Sequence, residues 1–194
     1  AHIPGADFLD LQQELSSNTS KLRFTFPSAE HFSKAIGAHG LSNDNQAILY
    51  STTSPQWATR IWWMLRAFGF DNAKVLDGGL IRWVQKGYPT STIPSTYTEQ
   101  SFTAKPRPGL IIQKSEVLEG IHESNTCIIN ALSQEQHIGV GGRTYGRPGR
   151  IKDSENVPTT ELINPETNEF YPAAVIAERF ASVGTQSSDR VLTY

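Results

Sequence analysis

The segment that most constrains the fold runs from residue 47 to residue 79, where two short apolar runs flank a loop and an amphipathic stretch. Residues 47–50 (AILY) lie between polar residues, which is typical of a buried strand. Ser54 and Pro55 are an N-cap residue and a proline at the first helical position. The second apolar run ends in a glycine turn, so the segment predicts a strand, a loop, a helix and a strand.

The helix of this segment has one apolar and one solvated face, because its large apolar residues recur at helical spacing. These residues are Trp57, Ile61, Met64, Leu65 and Phe68. The loop lies at the carboxyl end of the first strand and above the N-terminus of the helix, where α/β proteins bind ligands. We therefore expect an α/β protein with a site at this loop position.

The chain also contains an internal repeat, since residues 27–50 align without a gap on residues 171–194. The alignment pairs Ala29 with Ala173, Phe32 with Ile176, Ile36 with Phe180, Gly40 with Gly184 and Tyr50 with Tyr194. Each copy reads as an amphipathic helix, a glycine stop, a polar loop and an apolar strand. The repeat predicts two related domains.

The flanks of the two copies differ, and this difference sets the expected domain bounds. The first copy continues into a loop and a helix, whereas the second is preceded by an expected helix at 114–122 and an expected strand at 127–131. We expect a first domain at 1–90 that lacks its start. We expect a second domain at 109–194 that lacks its end, including the active-site loop.

Two further segments are expected to be extended. Residues 91–108 are rich in Pro, Ser and Thr and read as a linker between the domains, with a packed loop as the alternative. Residues 8–11, near the N-terminus, are expected to form a short strand.

Charge and cysteine content exclude several classes of function. A net charge of -2 favours neither nucleic acid nor an anionic membrane surface as a partner, and no apolar stretch is long enough to span a bilayer. The single cysteine, Cys127, excludes an internal disulfide and indicates a reducing compartment, so we expect the cytoplasm. Cys127 opens an apolar run, which indicates a buried core cysteine, with a redox or catalytic role as the alternative. The histidines have no metal-ligand spacing, so no metal site is predicted.

A glycine-rich segment at residues 139–152 (GVGGRTYGRPGRIK) carries Arg143, Arg147, Arg150 and Lys152. A flexible loop with guanidinium groups suits a small anion such as a carboxylate. Solvated surface arginines are the alternative interpretation.

Three motifs carry a family resemblance: AHIPGADFLDL at the start, WWMLRAFGFDNAKVLDGGLIRW in the middle, and YGRPGRI with NVP between residues 145 and 158. They resemble the tandem-domain rhodaneses, the thiosulfate and 3-mercaptopyruvate sulfurtransferases. The resemblance implies two rhodanese-like α/β domains, each with a parallel sheet flanked by helices. It implies a small anionic sulfur donor, and an acceptor that is cyanide or a thiol, including a protein thiol. It implies no metal and no organic cofactor.

The resemblance also assigns roles to particular positions. The cysteine that cycles between thiolate and persulfide follows the strand that here ends at Tyr194, so the chain as given should not turn over. In the first copy the matching position is Ser51, whose hydroxyl cannot store sulfur, so that loop is a non-catalytic copy. Relatives hold the substrate with an arginine of the glycine-rich segment, where Arg143 matches best and Arg147 is a second candidate.

Several positions depart from the family pattern. Gln12 and Phe24 take the places of an acidic residue and a histidine of the mercaptopyruvate branch. Asn130 and Leu132 take the places of an aspartate and an arginine, and residues 150–153 (RIKD) replace a second HIPG. These departures leave a non-catalytic rhodanese-like binding or regulatory module as the alternative function. A phosphatase on the related fold is a third hypothesis, which would need a longer phosphate-binding loop after a cysteine.

Overall fold

The chain divides into two compact units in this computed structural model, which describes residues 1–17, 19, 22–142, 146–185 and 190–194. Unit 1 is Ala1–Ile111 and unit 2 is Ile112–Tyr194. Both contain a parallel sheet with helices beside it, so the predicted α/β class is confirmed. Within the described residues, no helix has the length and hydropathy needed to cross a lipid bilayer.

Unit 1 is built on the strand, loop, helix and strand that the sequence predicts. Its elements are α1 (Ala29–Ala38), β1 (Ala47–Leu49), α2 (Gln56–Ala67), β2 (Ala73–Val75) and α3 (Gly79–Gln85). The two strands are parallel, with Ala47 opposite Ala73. The expected strand at residues 8–11 is wrong, because these residues form no strand and Phe8 is 79% exposed.

The core of unit 1 lies between α1 and the C-terminal half of α2. Phe32 is fully buried, and its ring centroid lies 4.4 Å from that of Phe68. Met64 and Leu65 are each 1% exposed and belong to the same cluster. The helical spacing that the sequence shows therefore places one face of α2 in the core.

Residues 91–108 contain no helix and no strand beyond a single bridge residue, and they belong to unit 1, where part of this segment packs into the core. Phe102 is 6% exposed and joins the core cluster. The backbone N–H groups of Gln100 and Lys105 donate to the carbonyls of Gly37 and Phe68 at 2.9 Å and 2.8 Å. The packed-loop alternative thus describes residues 100–107, and the domain bounds 1–90 and 109–194 stay a prediction.

Unit 2 contains a three-stranded parallel sheet in the order β4-β3-β5. Its elements are α4 (Lys114–Gly120), β3 (Thr126–Asn130), α5 (Gln134–Ile138), β4 (Glu155–Asn156), a 3-10 helix (Thr159–Leu162), α6 (Ala173–Ala181) and β5 (Arg190–Thr193). The central strand β3 buries Ile128 and Ile129, and Leu192 of β5 packs beside them at 7% exposure. Gly120 of α4 fits against Leu192, since a Cβ there would meet its Cδ1 at 3.0 Å.

The two copies of the repeat fold alike but differ in burial. Ala29 and Ala173 each begin a helix, and Gly40 and Gly184 each end it with φ of +77° and +84°. Phe32 is fully buried in α1, whereas α6 has no fully buried residue. α1 shares the core cluster of unit 1 with α2, and this packing buries Phe32.

Candidate functional site

Two neighbouring strands of unit 2 end in polar side chains at one edge of the sheet. Asn130 ends β3, and Tyr194 directly follows β5. Because β3, β4 and β5 are parallel, their carboxyl ends meet at the same edge, where α/β proteins bind ligands. We take this edge as the candidate site.

The phenolic oxygen of Tyr194 is the centre of a hydrogen-bond network at this edge. It lies 3.0 Å from Nδ2 of Asn130, 2.9 Å from the backbone nitrogen of Ile151 and 2.9 Å from Oγ of Ser154. Asn130 and Ser154 are 0% and 4% exposed, so these polar groups are paired away from bulk water. The backbone of Tyr194 is held as well, by bonds to the carbonyl of Ile129 and from the amide of Ala131.

The glycine-rich segment is tied to this edge at one end. Ile151 donates its N–H to Tyr194, and Gly139 approaches Gly149 so closely that a Cβ would meet the nitrogen of Gly149 at 3.0 Å. Arg147 is exposed and lies four residues before Ile151, which puts its backbone within about 14 Å of that anchor. Arg143, the first candidate for substrate binding, lies outside the described residues.

A buried histidine beside this segment is absent from the sequence interpretation. His137, in the last turn of α5, is 9% exposed, and its Nδ1 has no hydrogen-bond partner among the described residues. Burial lowers the pKa of His137, the nearby guanidinium of Arg150 lowers it further, and Glu155 opposes both. His137 is therefore held neutral near pH 7. Helical periodicity predicts α5 poorly because the helix is short, so no sequence signal marks this burial.

The loop that follows β1 in unit 1 occupies the position that corresponds to the candidate site, and its Ser51 is hydrogen-bonded within unit 1. Oγ of Ser51 donates to the carbonyl of Ser54 at 2.6 Å, and the carbonyl of Ser51 accepts the N–H of Leu80 at 3.1 Å. Tyr50, directly before it, accepts the N–H of Ile3 at 3.1 Å. The Ser51 hydroxyl is thus engaged within its own loop.

Gln12 and Phe24, the two positions of unit 1 at which a departure from the mercaptopyruvate branch is expected, lie together. Oε1 of Gln12 accepts the backbone N–H of Phe24 at 3.1 Å. The ring of Phe24 packs on Trp57 with centroids 5.4 Å apart, and the guanidinium of Arg23 lies 5.0 Å from its centroid. An amide and an apolar ring are not groups suited to proton transfer.

Cys127 lies at the opposite edge of the sheet of unit 2. It stands near the start of β3, three residues before Asn130, which is about 10 Å along an extended strand. Its Sγ lies 3.3 Å from Oγ1 of Thr185, and the side chain is half-buried rather than fully buried as predicted. The reason is that Cys127 lies near the start of the strand, whereas the buried residues are the next three along β3. Within the described part of the chain, no cluster of His, Cys, Asp or Glu could hold a metal ion.

Comparison with known proteins relates the chain to sulfur-transferring enzymes. The rhodanese-like domain family matches residues 1–86. Thiosulfate sulfurtransferase from Rattus norvegicus is 30% identical over 180 residues, which cover 88% of this chain and 59% of that protein. The 3-mercaptopyruvate sulfurtransferase from the same organism is 32% identical over 178 residues, which cover 90% of this chain and 60% of that protein. The chain therefore spans about 60% of the length of these relatives.

A solved structure shows the same relationship. The crystal structure of SseA from Escherichia coli, described as a 3-mercaptopyruvate sulfotransferase with the rhodanese fold, superimposes with a TM-score of 0.86 at 29% sequence identity. The superposition covers 99% of this chain and 71% of SseA. The chain thus has the α/β rhodanese fold. Residues 1–86 match the rhodanese-like domain family, and the chain is similar to the thiosulfate and 3-mercaptopyruvate sulfurtransferases.

Proposed function

We propose that the chain is part of a sulfurtransferase whose persulfide-forming cysteine stands directly after Tyr194. The observation that supports this most is the equivalence of Tyr50 and Tyr194. Each directly follows a parallel strand, and each accepts the N–H of an isoleucine at the same place relative to the family motif, Ile3 or Ile151. Ser51, which follows Tyr50, marks the position of the reacting group in the second copy.

The proposed reaction has two displacement steps. The cysteine thiolate attacks the outer sulfur of thiosulfate, an S–S bond forms to the enzyme, and the S–S bond of the donor breaks as sulfite leaves with the electron pair. Cyanide or a thiolate, including one on a protein, then takes the outer sulfur and releases the cysteine thiolate. A loop above a helix N-terminus lowers the pKa of such a thiol. Neither step needs a metal or an organic cofactor.

Arg147 and Arg143 are the proposed binding groups for the donor anion. Arg147 is exposed on a segment that Ile151 anchors to Tyr194, so a guanidinium can approach the carboxyl edge of the sheet. We expect Arg147→Ala to raise the KM for thiosulfate about tenfold with little change in kcat. Lys152→Ala is the matched control, because Lys152 is also an exposed cation of this segment.

The deciding experiment compares residues 1–194 with the complete reading frame. We expect thiocyanate release from thiosulfate and cyanide by the complete protein and none by residues 1–194. The reason is that Ser51 cannot store sulfur and Cys127 lies at the other edge of its sheet. A complete protein that has a cysteine after Tyr194 and turns over neither thiosulfate nor mercaptopyruvate would contradict the proposal. We place the protein in the cytoplasm, since a free thiol persists in a reducing compartment.

A catalytically inactive rhodanese-like module is the second candidate function. Leu132, where the family pattern has an arginine, is 37% exposed at the proposed site and cannot bind an anion. This candidate predicts a residue other than cysteine after Tyr194, so one further codon of the reading frame distinguishes the two functions.

A further inference from the structure

We propose that Asn130 is a positioning residue that, with Ser154, fixes the phenol of Tyr194 and so the direction in which the chain leaves β5. The inference rests on the proposed function, in which the reacting thiol follows Tyr194. Asn130 lies at an aspartate position of the family pattern. The structure assigns it a role that an aspartate could not fill in this network.

The orientation of the Asn130 amide follows from its neighbours. Oδ1 lies 2.8 Å from the backbone nitrogen of Leu132, which can only donate. Nδ2 is therefore the atom that faces Tyr194, at 3.0 Å. The side chain is completely buried, so it has no water to substitute for either bond.

The direction of each bond to the Tyr194 hydroxyl is also determined. Oγ of Ser154 donates its only proton to the carbonyl of Ile151 at 2.7 Å, so it accepts from Tyr194. The Tyr194 hydroxyl therefore donates to Ser154 and accepts from Asn130 and Ile151, which uses its one proton and both lone pairs. A phenol held in three directions leaves the backbone of Tyr194 little rotational freedom.

An aspartate at position 130 would break this pattern. Its carboxylate could still accept the N–H of Leu132, but it cannot donate to Tyr194. The single phenol proton would then be shared between the carboxylate and Ser154, and one acceptor would lose its partner. An asparagine at position 130 therefore satisfies the hydrogen bonds of Ser154 and Tyr194, and an aspartate would not.

Unit 1 provides the internal comparison. Tyr50 accepts the N–H of Ile3 in the same way, but Ala6 stands at the place of Ser154 when Ile3 is aligned with Ile151. The hydroxyl of Tyr50 thus has no counterpart of the bond to Ser154. Tyr50→Phe is therefore a matched control for Tyr194→Phe.

The experiment uses the complete protein and two readouts. Asn130→Asp, Ser154→Ala and Tyr194→Phe are the test variants, with Asn125→Asp, an exposed amide of the same unit, and Tyr50→Phe as controls. The first readout is kcat and KM for thiosulfate. The second is amide hydrogen exchange of Ile151 and of the residues directly after Tyr194, which does not depend on turnover. We expect Asn130→Asp to lower kcat about tenfold or more, with KM changed less than about twofold. We expect exchange after Tyr194 to rise about tenfold while exchange in β1 is unchanged.

The outcomes separate this inference from the proposed function. If the wild-type protein shows no turnover, the proposed function fails, and the exchange readout alone decides on Asn130. If Asn130→Asp leaves exchange after Tyr194 at the wild-type rate, the positioning role is wrong, whatever the turnover. It is also wrong if Tyr194→Phe changes kcat no more than Tyr50→Phe.

Discussion

Ile151 donates its backbone N–H to the phenolic oxygen of Tyr194 at 2.9 Å. In the other unit Ile3 makes the same bond to Tyr50 at 3.1 Å. Both tyrosines directly follow a strand of a parallel sheet, and both isoleucines lie in a segment aligned with the same family motif. In each unit, this hydrogen bond therefore joins the residue after a strand to a segment that is distant in sequence. In unit 2 the bond lies at the candidate site.

The repeat allows the apolar faces of two related helices to be compared. Phe32 of α1 is fully buried, whereas Phe180 of α6, which aligns with Ile36 of α1, is half-buried. We expect Phe32→Ala to lower the free energy of unfolding of unit 1 by about 3 to 5 kcal/mol. Phe180→Ala should cost unit 2 about half as much, because less apolar surface is removed from water on folding. Native-state hydrogen exchange of β1 and β5 measures both, and equal losses would contradict the difference in burial.

Gly79 is required where the first loop meets α3. Its φ is +54°, and a Cβ would meet the carbonyl oxygen of Ser51 at 2.7 Å. Gly87 also has a positive φ, +74°, but a Cβ there would have nothing within 4 Å. We expect Gly87→Ala to cost about 1 kcal/mol from backbone strain alone and Gly79→Ala at least about 1 kcal/mol more. Tryptophan fluorescence during urea unfolding reports on unit 1, because all four tryptophans lie there. If Gly79→Ala were as stable as Gly87→Ala, the loop at Ser51 would be able to move and avoid the clash with the new Cβ.

His39 links the end of α1 to the N-terminal segment. Its Nδ1 lies 2.7 Å from Oδ2 of Asp7, and its Nε2 lies 2.7 Å from Oε2 of Glu14. Burial by itself lowers the pKa of His39, but the bonds and charges of Glu14 and Asp7 outweigh it and raise that pKa. The stabilisation is therefore full below the unfolded value of 6.5 and is lost as the pH rises through the folded pKa.

The measurement that tests this pH dependence compares the stability of wild type with that of His39→Gln at pH 5.5 and at pH 9. We expect the variant to be less stable than wild type at pH 5.5, and the gap to shrink at pH 9, as judged by the urea midpoint of tryptophan fluorescence. His31→Gln, at a half-buried histidine of unit 1, serves as the control, because the tryptophans report on that unit. A gap that is the same at both pH values would show that the charge of His39 is not responsible.

We expect Ser51 to contribute to stability rather than to sulfur transfer. Ser51→Ala removes the 2.6 Å bond to the carbonyl of Ser54, so we expect unit 1 to lose about 1 kcal/mol. Thiocyanate release by the complete protein should stay within about twofold of wild type. A much larger loss of turnover would give the first loop a direct part in the reaction.

Cys127 is expected to be dispensable for turnover, because its sulfur lies near the amino end of β3. Cys127→Ser should cost about 1 kcal/mol, since the half-buried sulfur contacts Thr185. The rate of thiocyanate release should be unchanged. Loss of activity in this variant, with the fold intact by circular dichroism, would identify Cys127 as the sulfur carrier.

Local patterns were enough to predict an α/β protein and to pair Tyr50 with Tyr194, whereas the parallel sheets were expected from the family resemblance. A short apolar run, an N-cap and helical spacing act over a few residues, so they can be read without knowing the rest of the fold. The same reasoning was wrong for residues 8–11 and overstated the burial of Cys127. Both errors concern the tertiary contacts that a segment makes. Local sequence patterns do not indicate which segments will be in contact.

The sequence by itself determined the strand, loop, helix and strand of unit 1 and the internal repeat, because these depend on periodicity and on residues adjacent along the chain. Only the tertiary structure decided that Phe102 enters the core of unit 1 and that Asn130, Ile151 and Ser154 converge on Tyr194. These contacts join residues that are distant in sequence. Each contact forms only once the tertiary fold has brought the two segments together. The sequence therefore does not distinguish a polar residue that is exposed to solvent from one that completes a buried hydrogen-bond network.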